Sequence, residues 1–159
     1  MSSPHHLDEP GAPLLFASGA PGLVVTDVDS TLIAQEVIEE LAEAAGTREQ
    51  VAAVTARAMN GELDFAESLR ERVATLRGVP HSVFADVLAR VTPTKGTREL
   101  IDAVHAAGGH FGVVSGGFEE VVAPLAASLG IDFYAANRLE VVDGYLTGRV
   151  LGRIVTSQV

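Results

Sequence analysis

Val24-Val25-Thr26-Asp27-Val28-Asp29-Ser30-Thr31 places two carboxylates two residues apart at the end of a short apolar run. An extended backbone points side chains i and i+2 to the same side. Asp27 and Asp29 are therefore expected to face one site beyond the carboxyl end of a strand covering about residues 23–26. Open α/β sheets bind their ligands in that region. Taken alone, an acidic pair followed by Ser and Thr also suits a turn or a helix cap.

A second apolar run, His110-Phe111-Gly112-Val113-Val114, ends in Ser115-Gly116-Gly117-Phe118 before another helical pattern. The Ser115 hydroxyl can donate to an oxyanion, and glycine lets backbone N–H groups approach one closely, so Ser115 and Gly116 are candidate anion-binding residues. Between the two runs the pattern is helical. Val37, Ile38, Leu41, Ala42 and Ala45 recur at amphipathic spacing, with Glu36 at the start of that helix. Asp64 suits an N-cap for a helix whose stripe is Phe65, Leu69, Val73 and Leu76, and Arg72 falls two turns beyond Phe65 near the same face.

After Ser115 the pattern gives a helix with Phe118, Val121, Val122, Leu125 and Leu129 on one face, kinked or delayed by Pro124. A short strand over about residues 132–136 and a hairpin over 138–150 turning at Asp143-Gly144 complete the reading. The order predicts an α/β fold: a Rossmann-like parallel sheet with a small helical cap inserted after the first strand. Residues 1–20, with Pro4, Pro10, Gly11, Pro13 and Gly19, read as a loosely held tail, 21–34 and 92–159 as the core, and 35–91 as the cap.

The wording D-V-D-S-T, then V-V-S-G-G-F, resembles the haloacid dehalogenase-like phosphatases. D-V-D-S-T-L-I-A-Q-E-V-I-E with M-N-G-E-L-D-F-A-E-S-L-R-E-R-V is similar, more narrowly, to the phosphoserine phosphatases. The resemblance implies hydrolysis of O-phospho-L-serine in serine biosynthesis, through an aspartyl-phosphate. Asp27 is then the nucleophile and Asp29 the general acid/base, and both belong to a site for a hard cation such as Mg²⁺. It further implies that Glu36 holds the substrate ammonium and Arg72 its carboxylate, while Met59 and Phe65 form an apolar wall against water. Two other readings are a remnant that binds a phosphoamino acid or a partner without turnover, and a phosphatase for another small phosphomonoester.

The resemblance also implies a lysine and a G-D-G-x-x-D-like loop further along, and neither occurs in these residues. Lys95 precedes Ser115, and the basic residues after Ser115 are Arg138, Arg149 and Arg153. The expectation is a family sequence cut before its third and fourth motifs. Its sheet would be incomplete on the C-terminal side, with little turnover on its own and self-association through the exposed edge of the first strand.

Composition narrows the partners. The 159 residues are 47% hydrophobic, which suits a globular core, and a net charge of −10 disfavours nucleic acid and anionic membranes. It does not disfavour a phosphorylated small molecule, because arginine, backbone amides and metal set the local potential. With no cysteine, disulfide and thiol chemistry are excluded for this chain. The opening Met1-Ser2-Ser3-Pro4-His5-His6 lacks the basic and apolar regions of a signal peptide, and the expected location is the cytoplasm.

Overall fold

The computed structural model describes residues 22–156; the tail read at 1–20 lies outside the described residues. Strand β1 (Leu23–Thr26) is followed by a tight coil over Val28–Leu32, then by helices α1 (Val37–Ala45), α2 (Arg48–Met59), α3 (Phe65–Ala74) and α4 (Val83–Arg90). Helix α5 (Thr97–Ala106) leads into β2 (His110–Phe118), α6 (Glu119–Leu129), β3 (Phe133–Val142) and β4 (Tyr145–Leu151). The sheet runs β1-β2-β3-β4, with β1–β2 and β2–β3 parallel and β3–β4 antiparallel.

The helices form where the apolar spacing places them. Val37, Ile38, Leu41 and Ala42 bury one stripe of α1, and Leu69, Val73 and Leu76 do so along and just beyond α3. Asp64 caps α3 through Glu67 N at 2.8 Å, and the Glu67 carboxylate returns a bond to Asp64 N at 2.9 Å, a reciprocal capping box. Val121, Val122, Leu125 and Leu129 hold α6 against the sheet, and that burial carries the helix unbroken through Pro124. The proline removes a single intrahelical N–H rather than delaying the start.

The inserted helices are not an independent body. Their apolar faces and those of the sheet and α6 form one continuous hydrophobic cluster, α3 packs on β4, and α4 packs on α6. The two chain crossings between sheet and insertion lie side by side. Ala34 N donates to Thr92 O at 3.0 Å, Thr94 N to Leu32 O at 2.8 Å, and the Gln35 amide brackets Thr92. Thr94 and Thr97 hydroxyls also bond the carbonyls of Thr31 and Leu32, which anchors the coil that follows Asp27.

Two boundaries differ from the sequence reading. Strand β2 does not end at Ser115 but continues to Phe118, with a slip on the way: Val114 pairs with Ala135 and Phe118 with Asn137, four steps against two. The Ser-Gly-Gly segment is thus a bulge inside a strand, because fully buried Phe118 pulls the chain back into register. Likewise, β3 is not broken near Asn137. It is one ten-residue strand whose first half pairs with β2 and whose second half pairs with β4. The turn itself is as read, since Asp143 and Gly144 have φ of 52° and 83°, the signs a two-residue I′ hairpin requires. Among the described residues, no helix is long and apolar enough to cross a membrane.

Candidate active site

A cavity of about 410 Å³ opens at the carboxyl ends of β1 and β2, and Asp27, Asp29, Glu36, Phe65, Arg72, Ser115 and Gly116 all line it. Of the sequence candidates, only Met59 is elsewhere. It ends α2, is 84% exposed, and does not reach the cavity. The buried residues of α2 are Val51 and Val54. Met59 lies five positions beyond Val54, about 140° around the helix, so its side chain faces away.

The acidic pair comes together as the spacing suggests, although β1 stops at Thr26. Asp27 and Asp29 have extended ψ values of 165° and 129°, both line the cavity, and Val28 between them is wholly buried. Ser30, at φ 53°, then turns the chain. Asp27 Oδ1 accepts from Val28 N at 2.7 Å. Asp29 Oδ1 accepts from Val37 N at 3.3 Å, so it satisfies one of the orphan N–H groups that open α1.

That arrangement leaves Glu36, the residue before α1, free of capping duty. Its carboxylate is held instead by the Ser30 hydroxyl at 3.1 Å and stays exposed at the cavity rim. Arg72 comes in from α3, half-buried, with Nε donating to Ser68 O at 3.3 Å. Burial lowers the guanidinium from its usual value, and Glu36, Asp29 and Glu39 oppose that shift.

The glycines make the wall thin. A Cβ on Gly116 would stand 2.8 Å from the Phe65 ring, and one on Gly117 would stand 3.0 Å from Ser115 Oγ and 3.4 Å from Asp29 Oδ2. Phe65 therefore seats on the Gly116 backbone and closes the insertion against the sheet at this point. Ser115, 1% exposed, accepts from Gly117 N at 2.9 Å through its Oγ. The structure adds Val155 and Thr156, just past β4, to the cavity wall. Nothing in their residue types marks them for this place; the hairpin delivers them.

Asp29 is the electrostatically unusual group. Burial raises its carboxyl, Glu36 and Asp27 push it further, the Val37 N–H and Arg72 oppose, and the result is about 6. The folded protein thus holds this proton more tightly than the unfolded chain. The stability so gained is present below about pH 4, the unfolded value, and is lost as pH rises through 6. Asp29→Asn, which keeps the Val37 acceptor, is expected to stabilise the metal-free protein by on the order of 2 kcal/mol at pH 8 and by almost nothing at pH 4. Urea denaturation at the two pH values checks this. Equal effects at both would mean that the carboxylate is not strained.

Among the described residues no three His, Cys, Asp or Glu side chains converge as a metal cluster. The two aspartates nevertheless supply the donor type a hard cation takes, and Mg²⁺ is commonly bound by one or two carboxylates together with water and substrate phosphate. The donor set fits that ion.

A family model for haloacid dehalogenase-like hydrolases matches residues 24–157. The chain belongs to the haloacid dehalogenase-like hydrolase family. It is 55% identical over 142 residues to a phosphoserine phosphatase of Streptococcus thermophilus, covering 89% of this chain and 66% of the relative. It is 52% identical over 136 residues to that of Lactococcus lactis, covering 86% and 63%. The chain thus spans about two thirds of the length of these curated relatives. Among solved structures it resembles a phospho-aspartyl intermediate analogue of phosphoserine phosphatase, with a TM-score of 0.76 and 43% identity over 84% of this chain and 64% of that one. It also resembles a substrate-bound phosphoserine phosphatase complex, with a TM-score of 0.77 and 41% identity over 85% and 64%.

Proposed function

We propose that the protein containing this chain is a phosphoserine phosphatase that converts O-phospho-L-serine and water to L-serine and phosphate, a cytoplasmic reaction of serine biosynthesis. The observation that carries the reading is the set of charges around one cavity. Two carboxylates stand at the sheet end, a hydroxyl with two glycines stands beside them, and a carboxylate and a guanidinium, Glu36 and Arg72, stand on the inserted side. Phosphoserine has the complementary set: a phosphate, an ammonium and a carboxylate. The relatives' own identity as phosphoserine phosphatases supports the same substrate.

In the first step an Asp27 carboxylate oxygen attacks phosphorus, the bond from phosphorus to the seryl oxygen breaks, and Asp29 gives its proton to that oxygen. In the second step Asp29 takes a proton from water as the water oxygen attacks phosphorus. Phosphate leaves, and the Asp27 carboxylate is restored. In the metal-free protein burial raises this carboxyl, the direction that favours its holding a proton to donate. Ser115 and Gly116 seat the phosphate oxygens, Glu36 takes the ammonium, Arg72 takes the carboxylate, and Phe65 excludes water. Asp27 through its carboxylate and Asp29 through its backbone carbonyl would hold Mg²⁺, which when bound neutralises phosphate charge and screens its repulsion from Asp27.

The test is phosphate release from O-phospho-L-serine beside phosphoethanolamine and glycerol phosphate, with Mg²⁺ present. The expected order of kcat/KM is phosphoserine, then phosphoethanolamine, then glycerol phosphate. Equal turnover of all three would leave a phosphatase for small phosphomonoesters without amino-acid selectivity. Binding of phosphoserine without phosphate release would leave the non-catalytic reading.

A further inference from the structure

The segment Ser115-Gly116-Gly117 leaves the regular β2–β3 pairing, and two adjacent glycines make the peptide between them easy to rotate. That peptide is nevertheless pinned at both ends. Its N–H, on Gly117, donates to Ser115 Oγ at 2.9 Å, and its carbonyl, on Gly116, accepts from Asn137 Nδ2 at 3.0 Å. A trans peptide carries C=O and N–H on opposite sides, so the two bonds hold one orientation of a single plane.

Asn137 comes from mid-β3 and is 1% exposed. Its Oδ1 accepts from Val155 N at 2.7 Å. The two partners fix which end of the amide faces which, since only the NH₂ can serve a carbonyl and only the oxygen can serve an N–H. Both ends of the buried amide are therefore satisfied, and neither can turn without breaking the other.

The consequence falls on Ser115. Its Oγ already accepts from Gly117, so its own proton is left for an acceptor in the cavity. Were the peptide rotated, the Gly116 carbonyl would turn toward Ser115, claim that proton and offer a lone pair where an anion must sit. We propose that Asn137 is a positioning residue that locks the Gly116–Gly117 peptide so that Ser115 can donate to phosphate, while it holds Val155 on the cavity wall. This inference rests on the phosphate reading of the site. Asn137 touches no reacting atom and acts through the bulge and through Val155.

The test uses the ¹⁵N-labelled protein, metal-free, titrated with inorganic phosphate, with affinity read from the Gly116 and Gly117 amide shifts. Hydrogen exchange at Gly117 and at Phe111, whose N–H bonds Asp132 at the far end of β2, is measured beside it. Asn137→Ala is expected to weaken phosphate binding by about tenfold, the loss of roughly one hydrogen bond's worth of preorganisation. Gly117 exchange should accelerate while Phe111 stays protected. Asn137→Thr, β-branched and suited to a strand, has a hydroxyl too short to bridge both partners; it is expected to act alike and serves if the alanine variant does not fold. A folded variant with wild-type phosphate affinity overturns the proposal, even if Phe111 and Gly117 exchange faster together, because that pattern is a loss of stability alone. A wild-type protein whose Gly116 and Gly117 amides do not respond to phosphate overturns the underlying site reading, and this proposal with it.

Discussion

Asp27→Asn is expected to reduce phosphoserine turnover by at least about 10⁴-fold, because the neutral amide cannot attack phosphorus and loss of a nucleophile removes the covalent route entirely. The fold should survive. Asp27 is exposed, and the bond its Oδ1 accepts from Val28 N can be accepted equally by an amide oxygen. Asp29→Asn is expected to differ in kind: phosphoryl transfer to Asp27 slows for want of a proton donor, and dephosphorylation slows for want of a base. Rapid-quench assays separate the two variants. Normal turnover by Asp27→Asn, with hydrolysis of the new amide back to aspartate excluded by mass, would remove the nucleophile assignment.

The second large effect is on selectivity. Arg72→Ala is expected to cut the preference for phosphoserine over phosphoethanolamine, which lacks the carboxylate, by about ten- to a hundredfold, the worth of roughly one charged hydrogen bond at 1.5–3 kcal/mol. Turnover of phosphoethanolamine itself should change little, since the guanidinium has nothing to hold in that substrate. Glu36→Gln is expected to weaken both substrates, because both carry the ammonium. The ratio of kcat/KM for the two esters decides it. An unchanged ratio in Arg72→Ala would place the substrate carboxylate elsewhere.

Most of the site was legible because it rests on local patterns. The i, i+2 carboxylates stand just past the end of the strand and share one cavity, as their spacing suggests. The stripe of α1 and the capping box of α3 deliver Glu36 and Arg72 by helical periodicity. What escaped depends on partners distant in sequence. Gly116-Gly117 reads as the end of a strand, yet Phe118 is buried and draws the chain on, so the glycines become a bulge. Asn137 reads as the end of a strand too, because a polar residue interrupts an apolar run. Only the fold supplies Gly116 and Val155, the partners that make a buried amide tolerable at that position. Met59 failed for the opposite reason. Its sequence neighbours match the resemblance, but the apolar face of α2 ends at Val54 and leaves it in solvent.

The most direct measurement is to mix the Mg²⁺-loaded protein containing this chain with O-phospho-L-serine, quench in acid within the first turnover, and map the phosphate by peptide mass. The account predicts a hydroxylamine-labile phosphate on the peptide that carries Asp27, absent from Asp27→Asn. Release of serine and phosphate at full rate with no phosphate on Asp27 at any quench time, or with phosphate on another residue, would contradict it.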